Sequence, residues 1–515
     1  MDNLHYDLCV IGGGINGAGI ARDAAGRGLS VLLVEAQDLA GATSSASSKL
    51  IHGGIRYLEN FEFSMVRKAL KEREVVYKTA PHIVRPMECV IPQNEGGRPQ
   101  WLLRLGVMVY DRLGGRTSLP KSRMVDFVDD PIGKPLLSHF TDGLSYYDCW
   151  GDDTRLVISN VVDAAARNAE IMTRTSCVSM EIEDAHWRVG LLAEGVSEPE
   201  YISASMVVNA TGPWVGQFLD RVGAGGNDPD LPGVRLVKGS HLLFPKLYDG
   251  DHAYVLQQAD NRIVFVAPYE GEYTLVGTTE EDFSGDPRDA RISDEEMEYL
   301  LAAYNSSFSK QVSEEDIVFA LSGVRPLIDD GNDNVSKVTR DYKIYHHKRF
   351  DPPFLSVYGG KLTTYRAVSE DVINTLMRLS GHVAAGWTAY EPVAGGDFGG
   401  QGFDIYLGKQ KQLYPWLPDD ILKRYLRTYG TRMDYFLHGK ESVEDLGEHL
   451  GDGVYAAEIR YLVSYEWARS AEDIIWRRGK MGLHISEETI EAIERSVHTI
   501  LSSKGSSPKQ KASAE

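Results

Sequence analysis

The sequence predicts an α/β protein in three parts, and three observations carry that prediction. Apolar runs at 8–11 and 31–34 bracket a small-residue segment ending near Arg27, the rhythm of a strand–helix–strand unit. Short β-type runs at 234–237, 241–244, 254–257, 263–267 and 273–277 form a separate, largely antiparallel sheet. From about 385 to 505 the apolar residues fall at helix spacing, as in Ile459, Leu462, Val463 and Trp467.

The first unit carries its own chemical signature. Gly12, Gly14 and Gly17 make a G-x-G-x-x-G directly after the first apolar run. Gly12 lets the chain turn out of the strand, Gly14 lets backbone N–H groups approach a pyrophosphate, and Gly17 lets helix and strand pack closely. The helix N-terminus then faces the anion. Glu35 ends the second run, eighteen positions after Gly17, where a dinucleotide-binding unit needs an acid for a ribose hydroxyl pair. Ala36 and Gln37 follow, with no Arg or Lys to pair a 2′-phosphate. A glycine-rich turn at an ordinary βα corner is the plainer alternative.

Two further strand-end glycine turns appear, at 210–212 after the run 205–209 and at 359–360 after 355–358. A parallel sheet brings such ends to one crevice, so one elongated cofactor can touch all three. A nicotinamide dehydrogenase needs only the first, whereas a late glycine turn with a helix N-terminus beneath an isoalloxazine favours FAD. Lys361 in that first turn would stabilise negative charge developing on the flavin. The stretch 42–48 is almost all Ala, Ser and Thr, small enough for a cofactor to lie against the backbone.

The parts are therefore discontinuous. Residues 1–79, 150–220 and 320–384 form the cofactor-binding domain, 80–149 and 221–319 a substrate-binding domain, and 385–505 a helical domain. The Ser-, Lys- and Pro-rich end, 506–515, is expected to be a disordered tail. Prolines at 81, 86, 92, 99 and 120 mark 80–149 as an inserted element.

Composition bounds the function. The chain has 515 residues, enough for two or three domains, and 43% hydrophobic with 25% charged residues is an ordinary globular balance. A formal net charge of −20 argues against nucleic acid as a partner. Four cysteines, at 9, 89, 149 and 177, include no C-x-x-C pair, which suits a reducing compartment and no metal site. The N-terminus has no signal-peptide pattern and no eighteen-residue apolar run occurs, so any membrane contact is peripheral.

Cations sit in small or apolar motifs: Arg56 in His-Gly-Gly-Ile-Arg-Tyr, His241 in Lys-Gly-Ser-His, Arg325 in Ser-Gly-Val-Arg-Pro-Leu, Arg340 in Val-Thr-Arg-Asp-Tyr, and Lys361. Arginine meets a phosphate or carboxylate with two parallel hydrogen bonds, so an anionic substrate is indicated; for any one of them a surface salt bridge is the plain reading. His241 could take an alcohol proton while hydride leaves the same carbon, although a histidine ending a strand is commonly structural. Thr278 and Thr279 either meet substrate or cap the next turn.

The motifs Gly-Gly-Gly-Ile-Asn-Gly-Ala-Gly (12–19), Ala-Thr-Ser-Ser-Ala-Ser-Ser-Lys-Leu-Ile-His-Gly-Gly (42–54), Asn-Ala-Thr-Gly-Pro-Trp (209–214), Ser-Gly-Val-Arg-Pro-Leu (322–327) and Gly-Gly-Lys-Leu-Thr-Thr-Tyr-Arg (359–366) resemble the FAD-dependent, aerobic glycerol-3-phosphate dehydrogenases. The resemblance spans nearly the whole chain, including Val-Glu-Asp-Leu-Gly at 443–447. It implies a glutathione-reductase-type FAD-binding Rossmann domain, an antiparallel-sheet substrate domain and a C-terminal α-helical cap. It also implies oxidation of sn-glycerol 3-phosphate at C2 to dihydroxyacetone phosphate, with electrons passed to membrane quinone, either ubiquinone or menaquinone.

By the same resemblance the substrate contacts are Arg56, Tyr57, His241, Thr278, Arg325, Arg340 and Lys361. His241 leads as the base, and Arg325 and Lys361 stabilise the developing ketone oxygen. The FAD contacts are Gly12, Gly14, Asn16, Gly17, Glu35, Thr43, Ser44, Ser45, Ser48, Lys49, Leu50, His52, Ala210, Thr211, Gly212, Trp214, Gly323, Gly360, Lys361, Leu362 and Thr363. The location implied is cytoplasmic, peripheral on the inner face of the cell membrane, and a homodimer is allowed.

Residues 101–113, apolar apart from Arg104, Asp111 and Arg112, are the best sequence candidate for membrane contact. A core helix under the substrate sheet is the preferred reading of that segment. A glycerol-3-phosphate oxidase passing electrons to oxygen, and a flavin-binding regulatory protein without turnover, are the rival functions.

Overall fold

A computed structural model describes residues 4–59, 61–93, 100–226, 228–260, 262–329, 331 and 340–503. The expected tail at 506–515 lies outside the described residues.

The first sheet orders its strands Tyr342–His346, Phe354–Gly359, Glu200–Asn209, His5–Ile11, Val31–Val34 and Glu170–Met172, with Thr175–Glu183 and His186–Ala193 paired beside Glu200–Asn209. Its centre is parallel: Ile11 stands opposite Asn209 and Val34, and Asn209 opposite Ser356. Strands such as Val31–Val34 are buried along their whole length, because helices cover the face of Val31 and Leu33 while the paired strands Thr175–Glu183 and His186–Ala193 cover the face of Leu32 and Val34. One covering helix, Ile15–Gly26, packs with Gly17, Ala18, Gly19, Ala21, Ala24 and Ala25 all buried, small residues that let it lie close on the sheet. The register places the three glycine turns side by side at the carboxyl edge.

The second sheet has ten strands and is antiparallel except where Ala253–Gln257 runs parallel to Val84–Pro92. Val234–Pro245 is its organising strand. It pairs with Phe319–Ile328 over ten positions, setting Val237 opposite Arg325, and with Tyr273–Gly277, setting His241 opposite Gly277. The sequence reading put 320–384 in the cofactor domain, but residues 319–328 belong to this second sheet. An apolar strand alone does not disclose its partner, and ladder hydrogen bonds to Val234–Pro245 decide it.

The helix Gln100–Leu113 corrects the preferred reading of its segment. Only Val107 and Tyr110 are buried, while Trp101 is 66% exposed and Leu105 and Met108 are each 50% exposed. Residues 101, 105 and 108 share one face at helical spacing, so the helix is amphipathic with its apolar ridge outward. No helix among the described residues is long and apolar enough to cross a membrane.

The C-terminal helices, among them Asp419–Tyr429, Ala456–Tyr465 and Glu487–Ser503, close on a core of Leu422, Tyr425, Leu426, Ile459, Leu462 and Ile493. They dock through buried ion pairs. Arg155 meets both carboxylate oxygens of Glu466 at 2.6 and 3.0 Å, and Arg478 meets both of Asp38 at 2.7 and 2.8 Å. Such forked pairs bring geometric specificity along with charge neutralisation.

Candidate active site

A cavity of about 500 Å³ runs along the carboxyl edge of the first sheet and under the second. At one end stand Gly12, Gly14, Asn16 and Glu35; at the other stand His52, Arg56, Tyr57, Thr278, Glu280, Arg325, Arg340 and Lys361. Thr43, Ser44, Ser48, Leu50, Ala210, Thr211, Gly212, Trp214, Gly323, Gly360, Leu362 and Thr363 line its length.

The glycine end is shaped by close approach. Gly12 has φ of +112°, and a Cβ there would lie 2.5 Å from the Ala210 carbonyl oxygen. A Cβ on Gly17 would lie 1.8 Å from the Gly12 oxygen, so that glycine sets the packing beneath the cavity. Glu35 accepts from the backbone N–H of Gly13 at 2.6 Å and of Gln37 at 2.7 Å. Burial pushes its carboxyl up, and these two N–H donors oppose the shift.

The fit to a flavin dinucleotide rests on these observations. The Ile15–Gly26 helix starts with no side-chain cap from Gly14, and Ser44 Oγ accepts only the Ile15 N–H, at 3.0 Å. Asn16 Oδ1 is buried without a partner. Gly360, at φ +95°, stands beside Asn16, where a Cβ would lie in van der Waals contact 3.6 Å from the Asn16 side chain. An anion at this helix start and a polar ligand atom beside Asn16 answer these open positions.

Besides Gly17, two residues expected on the cofactor, Lys49 and Ser45, do not line this cavity. Lys49 is buried with its ammonium on Asp153 at 2.5 Å and the Ser45 carbonyl at 2.6 Å, behind the cavity wall. Burial lowers its pKa, and Asp153 counters that. Ser45 lines a smaller cavity on the other side of the 42–46 segment and donates to the Ala42 carbonyl.

At the far end the cations converge. Arg325 donates to Thr278 Oγ1 at 3.1 Å, and its Nη1 is buried without a partner. A Cβ on Gly239 would stand 2.8 Å from that guanidinium, so glycine gives Arg325 its place. Lys361 Nζ lies 3.8 Å from the centre of the Tyr57 ring, and burial depresses its pKa. Arg340 Nη2 donates to Glu280 Oε1 at 2.7 Å, while Arg56 Nη1 lies 4.0 Å from Glu280 Oε2. Sequence reasoning missed Glu280, because an acid in Thr-Thr-Glu-Glu-Asp reads as one of a solvated run.

The two histidines differ in access. His241 is 1% exposed; its Nε2 is 2.9 Å from Ser48 Oγ and its Nδ1 is buried without a partner. His241 therefore sits behind Ser48, which lines the cavity. His52 lines the cavity itself, anchored by hydrogen bonds between its backbone and Thr363 Oγ1. Burial, then Lys361, then Arg73 push its imidazole down to about 3. The His241 ring is likewise pushed down to about 3, by burial first and Arg325 next.

Helix Gln100–Leu113 reaches this end from below. Its Tyr110 hydroxyl accepts from Gly53 N–H at 2.8 Å and donates to Asp148, which pairs with Arg73 at 2.8 Å. The loop bearing His52, Arg56 and Tyr57 is thus tied to the helix that carries the exposed ridge.

Comparison with known proteins places the chain in a family. Residues 7–366 match the family described as FAD dependent oxidoreductase, and residues 387–511 match the C-terminal domain of alpha-glycerophosphate oxidase. The chain is 46% identical to the aerobic glycerol-3-phosphate dehydrogenase of Escherichia coli (strain K12), over 94% of this chain and 95% of that one. It is 45% identical to the D-erythritol 1-phosphate dehydrogenase of Brucella abortus (strain 2308), over 93% of this chain and 95% of the other. Among solved structures it resembles the glycerol-3-phosphate dehydrogenase from Bacillus halodurans complexed with FAD, at a TM-score of 0.74 and 25% identity, covering 99% of this chain and 97% of that one.

Proposed function

From the premise that this chain belongs to the FAD dependent oxidoreductases, we propose that it is a glycerol-3-phosphate dehydrogenase that oxidises sn-glycerol 3-phosphate at C2 to dihydroxyacetone phosphate. The observation that carries this reading is one cavity joining a dinucleotide cradle to four cations, Arg56, Arg325, Arg340 and Lys361. Bound FAD supplies the hydride acceptor. Everything else is done by side chains. Arg56 and Arg340 hold the phosphate by charge-assisted hydrogen bonds. Arg325 and Lys361 stabilise charge on the C2 oxygen as the O–H proton leaves.

A histidine takes that proton. His241 meets the cavity-lining Ser48 rather than lining the cavity itself, so we assign the direct role to His52, a lining residue. The alternative, His241 acting through Ser48, is separated by mutation in the Discussion.

Glycerol 3-phosphate added to the FAD-loaded protein is expected to bleach the yellow chromophore, and a quinone or dichlorophenolindophenol to restore it. Stoichiometric peroxide release with no quinone reduction would establish an oxidase instead, and absence of bleaching would mean a flavoprotein without this activity. The Brucella relative gives a second reading on the substrate side, a four-carbon polyol phosphate. Bleaching rates with D-erythritol 1-phosphate beside glycerol 3-phosphate decide between the two.

We further propose that the acceptor is ubiquinone or menaquinone and that the chain sits on the membrane surface through Gln100–Leu113. Trp101, Leu105 and Met108 face outward there, with Arg104 and Arg112 on the same helix to reach lipid headgroups. Trp101→Glu with Leu105→Glu is expected to abolish cosedimentation with anionic vesicles and cut quinone reduction at least tenfold. Dye reduction in solution should survive. Undiminished vesicle binding would remove this helix from the contact.

A further inference from the structure

Four cations meet at the far end of the cavity, and among the described residues lining that end Glu280 supplies the carboxylate. It is placed to matter. Arg340 donates to it at 2.7 Å and Arg56 stands 4.0 Å away, while its side chain is 14% exposed. Its negative charge also offsets part of the burial that lowers the pKa of Arg325. A dianionic phosphate entering the same arginines meets this carboxylate as a competitor and as a repelling neighbour.

We infer that Glu280 is the charge-matching residue of the phosphate pocket: it occupies Arg340 and Arg56 while the site is empty, and its repulsion keeps the bound dianion from being held too tightly. This rests on the reading of the pocket as a phosphate site. The physical reason is symmetry between substrate and product. Both carry the same phosphate, so charge attraction that is equal for the two lowers KM without speeding the chemical step and slows release. A pocket with four cations and no carboxylate would do that.

The test uses FAD-loaded protein and inorganic phosphate as a competitor of glycerol 3-phosphate. Glu280→Gln keeps the acceptor for Arg340 and removes the charge, so the inhibition constant of phosphate is expected to fall about tenfold. Turnover should drop by more than single-turnover flavin bleaching changes, because release is the step that is slowed. Glu280→Asp keeps the charge and should leave phosphate affinity within about threefold of wild type. A purely structural role would weaken phosphate binding in both variants. Unchanged or weaker phosphate binding in Glu280→Gln, with FAD still bound, overturns the inference. Failure of phosphate to compete in the wild-type protein overturns the phosphate-pocket reading itself.

Discussion

Arg325→Ala is expected to abolish bleaching of the flavin by glycerol 3-phosphate while the FAD spectrum persists. The size follows from burial. Arg325 is enclosed, with Nη2 on Thr278 and Nη1 unpartnered, so it is poised to give two hydrogen bonds to an anion where water cannot substitute. Removing one partner of a buried charge pair costs about 2–5 kcal/mol, roughly 30- to 5,000-fold in kcat/KM. Glycerol without its phosphate should lose rate in the variant as well, since Arg325 also stabilises charge on the C2 oxygen. Turnover within threefold of wild type would place the anion site elsewhere. FAD loading serves as the control, because Arg325 stands at the end of the cavity opposite the glycine cradle.

The second large effect is expected at His52. His52→Asn should slow flavin bleaching by about 10²–10⁴, the usual contribution of a positioned general base. His241→Asn should cost less than about tenfold on the same scale, since His241 does not line the cavity and its Nε2 meets Ser48. The pH dependence gives a second check. A base must be neutral to accept a proton, and burial holds His52 at about 3, against an ordinary value of 6.5. The His52 contribution to an acid limb in kcat/KM should therefore be absent near pH 6.5, where the substrate phosphate itself titrates with a second pKa of about 6, and appear only as pH falls toward 3. Arrival of a phosphate dianion beside Lys361 moves the imidazole back up, which raises its proton affinity when substrate is present. A collapse in His241→Asn with His52→Asn near wild type would assign the proton to His241 through Ser48.

Much of this was legible in the chain. Gly12, Gly14 and Gly17 announce themselves because close backbone approach admits no side chain, so the requirement is written in residue type. The turns at 210–212 and 359–360 were legible for the same reason, and the parallel register puts them beside the first. Arg56, Arg325, Arg340 and Lys361 stood out as cations in small or apolar motifs, and the cavity collects all four.

Other features were not legible, each for an identifiable cause. Lys49 lies in the cofactor-contacting motif, yet its ammonium turns to Asp153, about a hundred residues away in sequence. The 100–113 helix had the same pattern whether its ridge met a core or the outside, and nothing in the sequence states which face is covered. Glu280 is one acid in a run until the strands beside it bring Arg56 and Arg340 to its carboxylate.

Sequence alone determined the dinucleotide cradle, the three-part α/β plan and the set of cations, because these depend on local backbone geometry and on residue chemistry. Tertiary structure decided which sheet owns residues 319–328, which histidine faces the cavity, where Lys49 points and which carboxylate shares the arginines. Those outcomes depend on strand pairing and on which surfaces are buried together, and both are fixed by contacts between residues far apart in the chain.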